Sequence, residues 1–223
     1  MKDYYEDRLS GEALQKCYEL APPRIRRYLD AELRFVAERL RGSRSVLELG
    51  CGYGRAMKRV SLFVPWIVGC DTSRRSLHLA TSYMAPRHNF SLVRADASQL
   101  AFREGAFDAV FCIQNGISAF GVDRGRLLAE AVRVTRRGGS ILFSSYSPRI
   151  WEERLDWFRE QARAGLIGEI DEARTGDGTI VCTDGFRAMT VGAAEFVGLY
   201  TQLGLRPTVR EVDGSSVFAV ASK

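Results

Sequence analysis

Apolar positions change their spacing near residue 44. Before that point they recur at helical intervals. Ile25, Tyr28, Leu29, Leu33, Val36 and Leu40 lie three and four apart, which places them on one face of a helix, and Asp30 and Arg34 pair on its wet face. Pro23 suits the first turn of this helix and Gly42 ends it. A shorter helix is predicted ahead of it, with Leu9 as staple and Ser10 as N-cap, running to about Leu20. Ala21-Pro22-Pro23 separates the two.

From Arg44 short apolar runs alternate with helical patterns, the rhythm of βαβ units and a mostly parallel sheet. Strands are expected at Ser45–Leu49, Trp66–Cys70, Phe90–Val93, Phe107–Ile113 and Ser140–Tyr146. Helices are expected up to about Phe63, at Arg74–Tyr83 and at Asp123–Arg136. After Pro148 a helix at Ile150–Ala164 presents Trp151, Leu155 and Phe158. A hairpin within Gly168–Thr190 is expected to turn at Gly176-Asp177-Gly178, followed by a helix at Val191–Leu203. Strands at Thr208–Val212 and Val217–Ala221 flank Asp213-Gly214, a strong hairpin-turn signal. The fold class is therefore α/β, a doubly wound sheet with helices on both faces. An N-terminal helical cap over residues 1–43 precedes a Rossmann-like domain over 44–223, which carries a small insertion at about 147–190.

Composition narrows the setting. With 46% hydrophobic and 26% charged residues in a chain of 223, a substantial core forms and disorder is excluded as the main state. No run approaches the roughly 20 apolar residues of a membrane span, and the charged start, Met1 to Arg8, reads as no secretory leader. Five cysteines (17, 51, 70, 112, 182) form no C-x-x-C pair and sit mostly among apolar neighbours, as reduced thiols of a cytoplasmic protein do. The net charge of +5 permits a nucleic-acid partner, but all basic residues except Lys2, Lys16, Lys58 and Lys223 are arginines scattered along the chain. No basic run with interleaved aromatics occurs, so nucleic acid is not the expected partner.

The chemistry concentrates after the first strand, in Val46-Leu47-Glu48-Leu49-Gly50-Cys51-Gly52-Tyr53-Gly54. A buried strand that runs into three glycines lets a ligand approach bare main chain. A dinucleotide, an adenosyl sulfonium or a phosphate would suit it. The dinucleotide pattern G-x-G-x-x-G fails because its third position is Arg55, and no Walker sequence is present. Further polar groups fall at the ends of the following strands. Asp71 lies 21 residues after Gly50, where an acid can accept from ribose hydroxyls. Asp96 follows the third strand and Ile113-Gln114-Asn115-Gly116 the fourth. A buried carboxylate such as Glu48 requires a partner.

These residues resemble the motifs of the class I S-adenosylmethionine-dependent methyltransferases. Glu48 to Gly54 matches E-x-G-x-G-x-G, Val68 to Asp71 the second motif, Asp96-Ala97 the adenine pair, and Phe107 to Phe111 the strand-four motif. Arg137 stands where the family usually has proline before Gly138-Gly139. The resemblance implies a seven-stranded sheet whose last strand runs antiparallel. It implies S-adenosylmethionine as cofactor and S-adenosylhomocysteine as product. It assigns Glu48 to the methionine ammonium, Gly50, Cys51 and Gly52 to the turn, Asp71 to the ribose, and Thr72, Asp96 and Ala97 to the adenine side, with Ile113 and Gln114 at the same edge.

The acceptor is narrowed by what is missing. Neither the Asn/Asp-Pro-Pro-aromatic motif nor the Pro-Cys nucleophile of nucleic-acid methyltransferases is present, which favours a small molecule between the N-terminal helices and the 147–190 segment. Tyr4, Tyr5, Tyr18, Asn115, Tyr146 and Arg187 are candidates for its pocket. His78 and His88 lie away from strand ends, no metal-ligand spacing occurs, and no catalytic residue is assigned. A non-catalytic cofactor-binding module, an RNA methyltransferase and an NAD-dependent oxidoreductase are the competing readings.

Overall fold

A computed structural model describes residues 4–223; Met1–Asp3, part of the expected cap, lie outside the described residues. The order along the chain is α1 Tyr4–Asp7, α2 Glu12–Glu19, α3 Pro23–Arg39, β1 Ser45–Leu49, α4 Arg55–Val60, β2 Trp66–Asp71, α5 Arg74–Met84, β3 Phe90–Arg94, β4 Phe107–Cys112, α6 Gly116–Ala119, α7 Arg124–Val134 and β5 Thr135–Tyr146. Then come α8 Trp151–Arg163, β6 Ile180–Val181, β7 Arg187–Ala188, α9 Ala193–Gln202, β8 Thr208–Val212 and β9 Ser216–Ser222.

Seven strands form one sheet in the order β3-β2-β1-β4-β5-β9-β8. Strands β1 to β5 are parallel, with Val46 opposite Ile67 on one side and Ala109 on the other. β9 runs antiparallel to both β5 and β8, so the last strand of the chain lies one place in from the edge. The strand order reverses between β1 and β4, the crevice where open α/β sheets place their ligands.

Alternation along the strands builds two cores. Leu47, Leu49, Val110 and Phe143 pack under Leu127, Leu128 and Ala131 of α7 and Phe196 and Tyr200 of α9. Val46, Ile67 and Phe111 face the opposite way, against Leu33 and Val36 of α3 and Met57 and Val60 of α4. The α4 contact requires Gly69 in β2: a Cβ there would stand 2.2 Å from Met57 Sδ and 2.8 Å from Cys51 Sγ. A third core lies beyond the strand ends. It joins Leu9, Cys17 and Ile25 of the N-terminal segment to Trp157 and Phe158 of α8 and to Ile180 and Phe186 of the insert.

The structure corrects three local expectations. Ser10 does not cap α2, because Gly11 occupies the cap without a side-chain bond and the Ser10 hydroxyl donates to the Glu6 carbonyl instead. The hairpin within the insert turns between Val181 and Arg187, where β6 pairs with β7. Gly176-Asp177-Gly178 forms a separate tight turn, in which Gly176 and Thr179 exchange backbone bonds of 2.9 and 2.8 Å and Asp177 and Gly178 take positive φ. Finally, β5 starts at Thr135, ahead of the expected Ser140, because Thr135 already pairs with Phe107 before a bulge restores the register at Ala109–Ser140.

Candidate functional site

A cavity opens at the carboxyl ends of β1, β2 and β4, roofed by α1, α2, α8 and the insert. Its floor is the glycine loop. Gly50 and Gly52 take φ of 68° and 52°, a region that side chains rarely adopt. A Cβ on Gly50 would meet the Phe120 ring at 2.8 Å, and one on Gly52 would meet Leu14 at 2.9 Å. Gly50 and Cys51 donate to the Cys70 carbonyl at 2.9 and 3.0 Å, which ties the loop to β2. The Asp71 carboxylate accepts from Gly52 N and Ser73 N, both at 2.8 Å, so it holds the loop while lining the cavity. Thr72 lies beside it in the wall.

Two polar groups in this wall have buried atoms without partners. Glu48 is 5% exposed and its Oε2 has none. Burial pushes its carboxyl well above the usual range, with Asp71 pushing the same way and Arg55 opposing. Arg55, at the first position of α4, has buried Nε and Nη2 atoms without partners. A cation there opposes the positive end of the helix dipole. That conflict was the available signal for a residue that sequence spacing treated only as a missing glycine. The Cys51 thiol is pushed well up by burial, so it is no ready nucleophile.

Ile113 and Gln114 close the side formed by β4. Gln114 takes φ of 56° and is held there from behind: its N–H meets Glu32 Oε2 at 2.9 Å and Ser144 Oγ at 3.0 Å. Its Oε1 accepts from the Tyr18 hydroxyl at 2.9 Å. Glu32 is fully buried on α3, and burial pushes its carboxyl up to about 7. It lies four residues from Tyr28 and Val36, a polar residue in an apolar stripe, which a reading of the helix face could have singled out.

The outer half of the cavity is aromatic. Tyr5, Tyr18, Tyr146, Trp157, Phe158 and Phe186 line it. Trp157 donates to the Cys17 carbonyl at 2.9 Å and so fixes α8 to the end of α2. Burial pushes the Tyr146 phenol up to about 12. Gln161 also lines this half, 3% exposed, with Nε2 unpartnered. Arg154, Trp157, Phe158 and Gln161 share one stripe of α8, again with polar members on the apolar side.

Other expected site residues stand elsewhere. Asp96 is exposed and its carboxylate accepts from Ser98 N and Oγ at 2.7 and 2.8 Å, while Ala97 is buried in the sheet core; neither lines the cavity. The Asn115 amide bridges Met189 O at 2.8 Å and Ser145 Oγ at 2.6 Å, which fastens the insert to β5 instead of facing the cavity. Tyr4 donates to Asp184 at 2.6 Å and packs on Phe186 from outside. Arg187 is exposed on β7.

Comparison with known proteins agrees with this geometry. Residues 46–139 match a family described as a methyltransferase domain. The malonyl-[acyl-carrier protein] O-methyltransferase of Legionella pneumophila is 34% identical over 137 residues, 60% of this chain and 48% of that protein. The chain thus spans about half the length of the curated relatives it first matches. The PH0226 protein of Pyrococcus horikoshii shares the fold over 100% of this chain and 99% of its own, with a TM-score of 0.73 at 21% identity. The structure described as a DhpI-SAM-HEP complex covers 99% and 94%, with a TM-score of 0.65 at 22% identity. No helix among the described residues is long and apolar enough to cross a membrane.

Proposed function

We propose that this chain, whose residues 46–139 match a methyltransferase-domain family, is a class I S-adenosylmethionine-dependent methyltransferase and that it methylates a small molecule held in the aromatic half of the cavity. The observation that carries the reading is the pair of orphaned buried groups, Glu48 Oε2 and Arg55 Nε and Nη2, beside a loop whose positive φ and close neighbours only glycine accommodates. An amino acid presents an ammonium and a carboxylate together: the ammonium would draw the buried Glu48 carboxyl back to its ionised form and donate to Oε2, and Arg55 would meet the carboxylate. Asp71 and Thr72 would receive the ribose and adenine side, with Ile113 and Gln114 opposite.

When bound, S-adenosylmethionine supplies a methyl group already activated on a positive sulfur, leaving S-adenosylhomocysteine as product. The protein then has to align an acceptor in line and keep water out. α2 and α8 with the insert enclose the outer half for that purpose, and this enclosure favours a small acceptor over a nucleic acid. Five buried free thiols support a cytoplasmic setting.

Calorimetry with S-adenosylmethionine tests the cofactor half. Glu48→Ala and Gly52→Val should each weaken binding by about tenfold or more, which corresponds to about 1.4 kcal/mol. Unchanged affinity in both overturns the assignment. Binding without release of S-adenosylhomocysteine across a broad acceptor panel would instead identify a non-catalytic module.

A further inference from the structure

Six rings around one chamber ordinarily suit a cation, because aromatic faces attract positive charge. Here one face of several of these rings is already taken, with Arg154 itself standing outside the cavity lining. The Arg154 guanidinium lies 4.3 Å from the Tyr146 ring centroid and 5.5 Å from that of Phe158. Arg55 lies 4.9 Å from the centroid of Tyr18. Arg154 is 1% exposed and donates to the carbonyls of Gly178 and Ala188 at 3.0 and 2.7 Å. Among the described residues, neither arginine stands within ion-pair distance of a carboxylate. The nearby acids, Glu32 and Glu48, are both driven toward the neutral form by burial. The fixed charge beside the aromatic half is therefore positive, since Asp71, the remaining acid of the lining, is held at the glycine loop by Gly52 N and Ser73 N, and an ammonium in that half would meet repulsion from both guanidiniums.

Two side-chain amides of the lining remain for a ligand: Gln114, just after β4, and Gln161 each keep a buried Nε2 without a partner, and Gln161 is the one in the aromatic half. Gln161 is 3% exposed. A buried N–H without a partner costs free energy that a ligand oxygen recovers. Ring-lined walls also favour an arene over an aliphatic body of equal size, through edge and offset contacts.

We propose that this chamber takes a neutral aromatic acceptor whose hydroxyl or carbonyl oxygen accepts from Gln161 Nε2, and that it rejects ammonium-bearing acceptors because Arg154 and Arg55 hold one face each of Tyr146, Phe158 and Tyr18. This rests on the reading above only in taking the glycine-loop half for the cofactor.

The test uses three probes with one ring system: 2-naphthol, 2-naphthoate and 2-naphthylmethylammonium. Each is titrated by ligand-observed NMR against the full chain, with and without S-adenosylhomocysteine. 2-Naphthol should bind about tenfold tighter than the ammonium. Gln161→Leu should weaken 2-naphthol about fivefold, the worth of one hydrogen bond, and leave S-adenosylhomocysteine affinity unchanged. Gln161→Glu, close in size, should narrow the gap between naphthol and ammonium. The proposal is overturned by ammonium binding as tight as naphthol, by tighter naphthoate binding, by no probe binding, or by an inert Gln161→Leu that folds normally by circular dichroism. Failure of S-adenosylhomocysteine to bind would instead sink the cofactor assignment, while the order of the probes still decides the chamber.

Discussion

Glu32 offers a stability experiment whose size follows from the structure. Its carboxyl is fully buried on α3, accepts from Gln114 N at 2.9 Å, and leaves Oε1 without a partner. Burial pushes it from 4.5 up to about 7, although bonds from Ser144 and Gln114 pull the other way. At low pH the carboxyl is protonated in both folded and unfolded chains and makes no pH-dependent difference. As pH rises through 4.5 the unfolded chain loses its proton while the folded chain keeps it, which favours unfolding. The loss is complete once pH passes about 7, where both forms are ionised. A shift of this size corresponds to about 3 kcal/mol at 1.36 kcal/mol per pH unit. Glu32→Gln keeps the shape and the acceptor for Gln114 but cannot ionise. Denaturant unfolding of both proteins from pH 4.5 to 8 gives the difference in stability at each pH, in which Glu48 and other shared groups cancel. The variant should gain on the parent by about 3 kcal/mol across that range. A difference that stays flat with pH refutes the reasoning, because it would mean that water or an acceptor of the proton reaches Oε1.

Two further predictions concern packing and thiols. Gly69→Ala should destabilise the fold by about 1–3 kcal/mol, seen as a lower denaturant midpoint, because its methyl would be driven into Met57 and Cys51. All five cysteines are buried, with Cys17 and Cys70 pushed up to about 12 and Cys182 to about 11. A thiol–disulfide reagent at pH 8 should therefore label the native protein about a hundredfold more slowly than the unfolded chain, and a fast native burst would contradict the burial.

Chain order and local chemistry determined the sheet and the glycine loop. A short apolar run such as Val46–Leu49 closed by glycines reads as a buried strand, and glycines at 50, 52 and 54 accept positive φ at little cost. Asp71 and Gln114 fall at the cavity for the same reason, since they end strands of a parallel sheet and such ends share one edge. What a side chain does after leaving its element depended on distant partners. Asn115 is spent on Ser145 and Met189 and Tyr4 on Asp184, each removed from the cavity by a hydrogen bond that tertiary packing supplies. Conversely, Glu32, Arg55, Arg154 and Gln161 gained their importance from burial, which strips water from polar groups and leaves their unpaired atoms to be satisfied by whatever enters. Burial is a property of the assembled helices α2, α3 and α8 around the sheet edge, so it could not be read from any one of them alone.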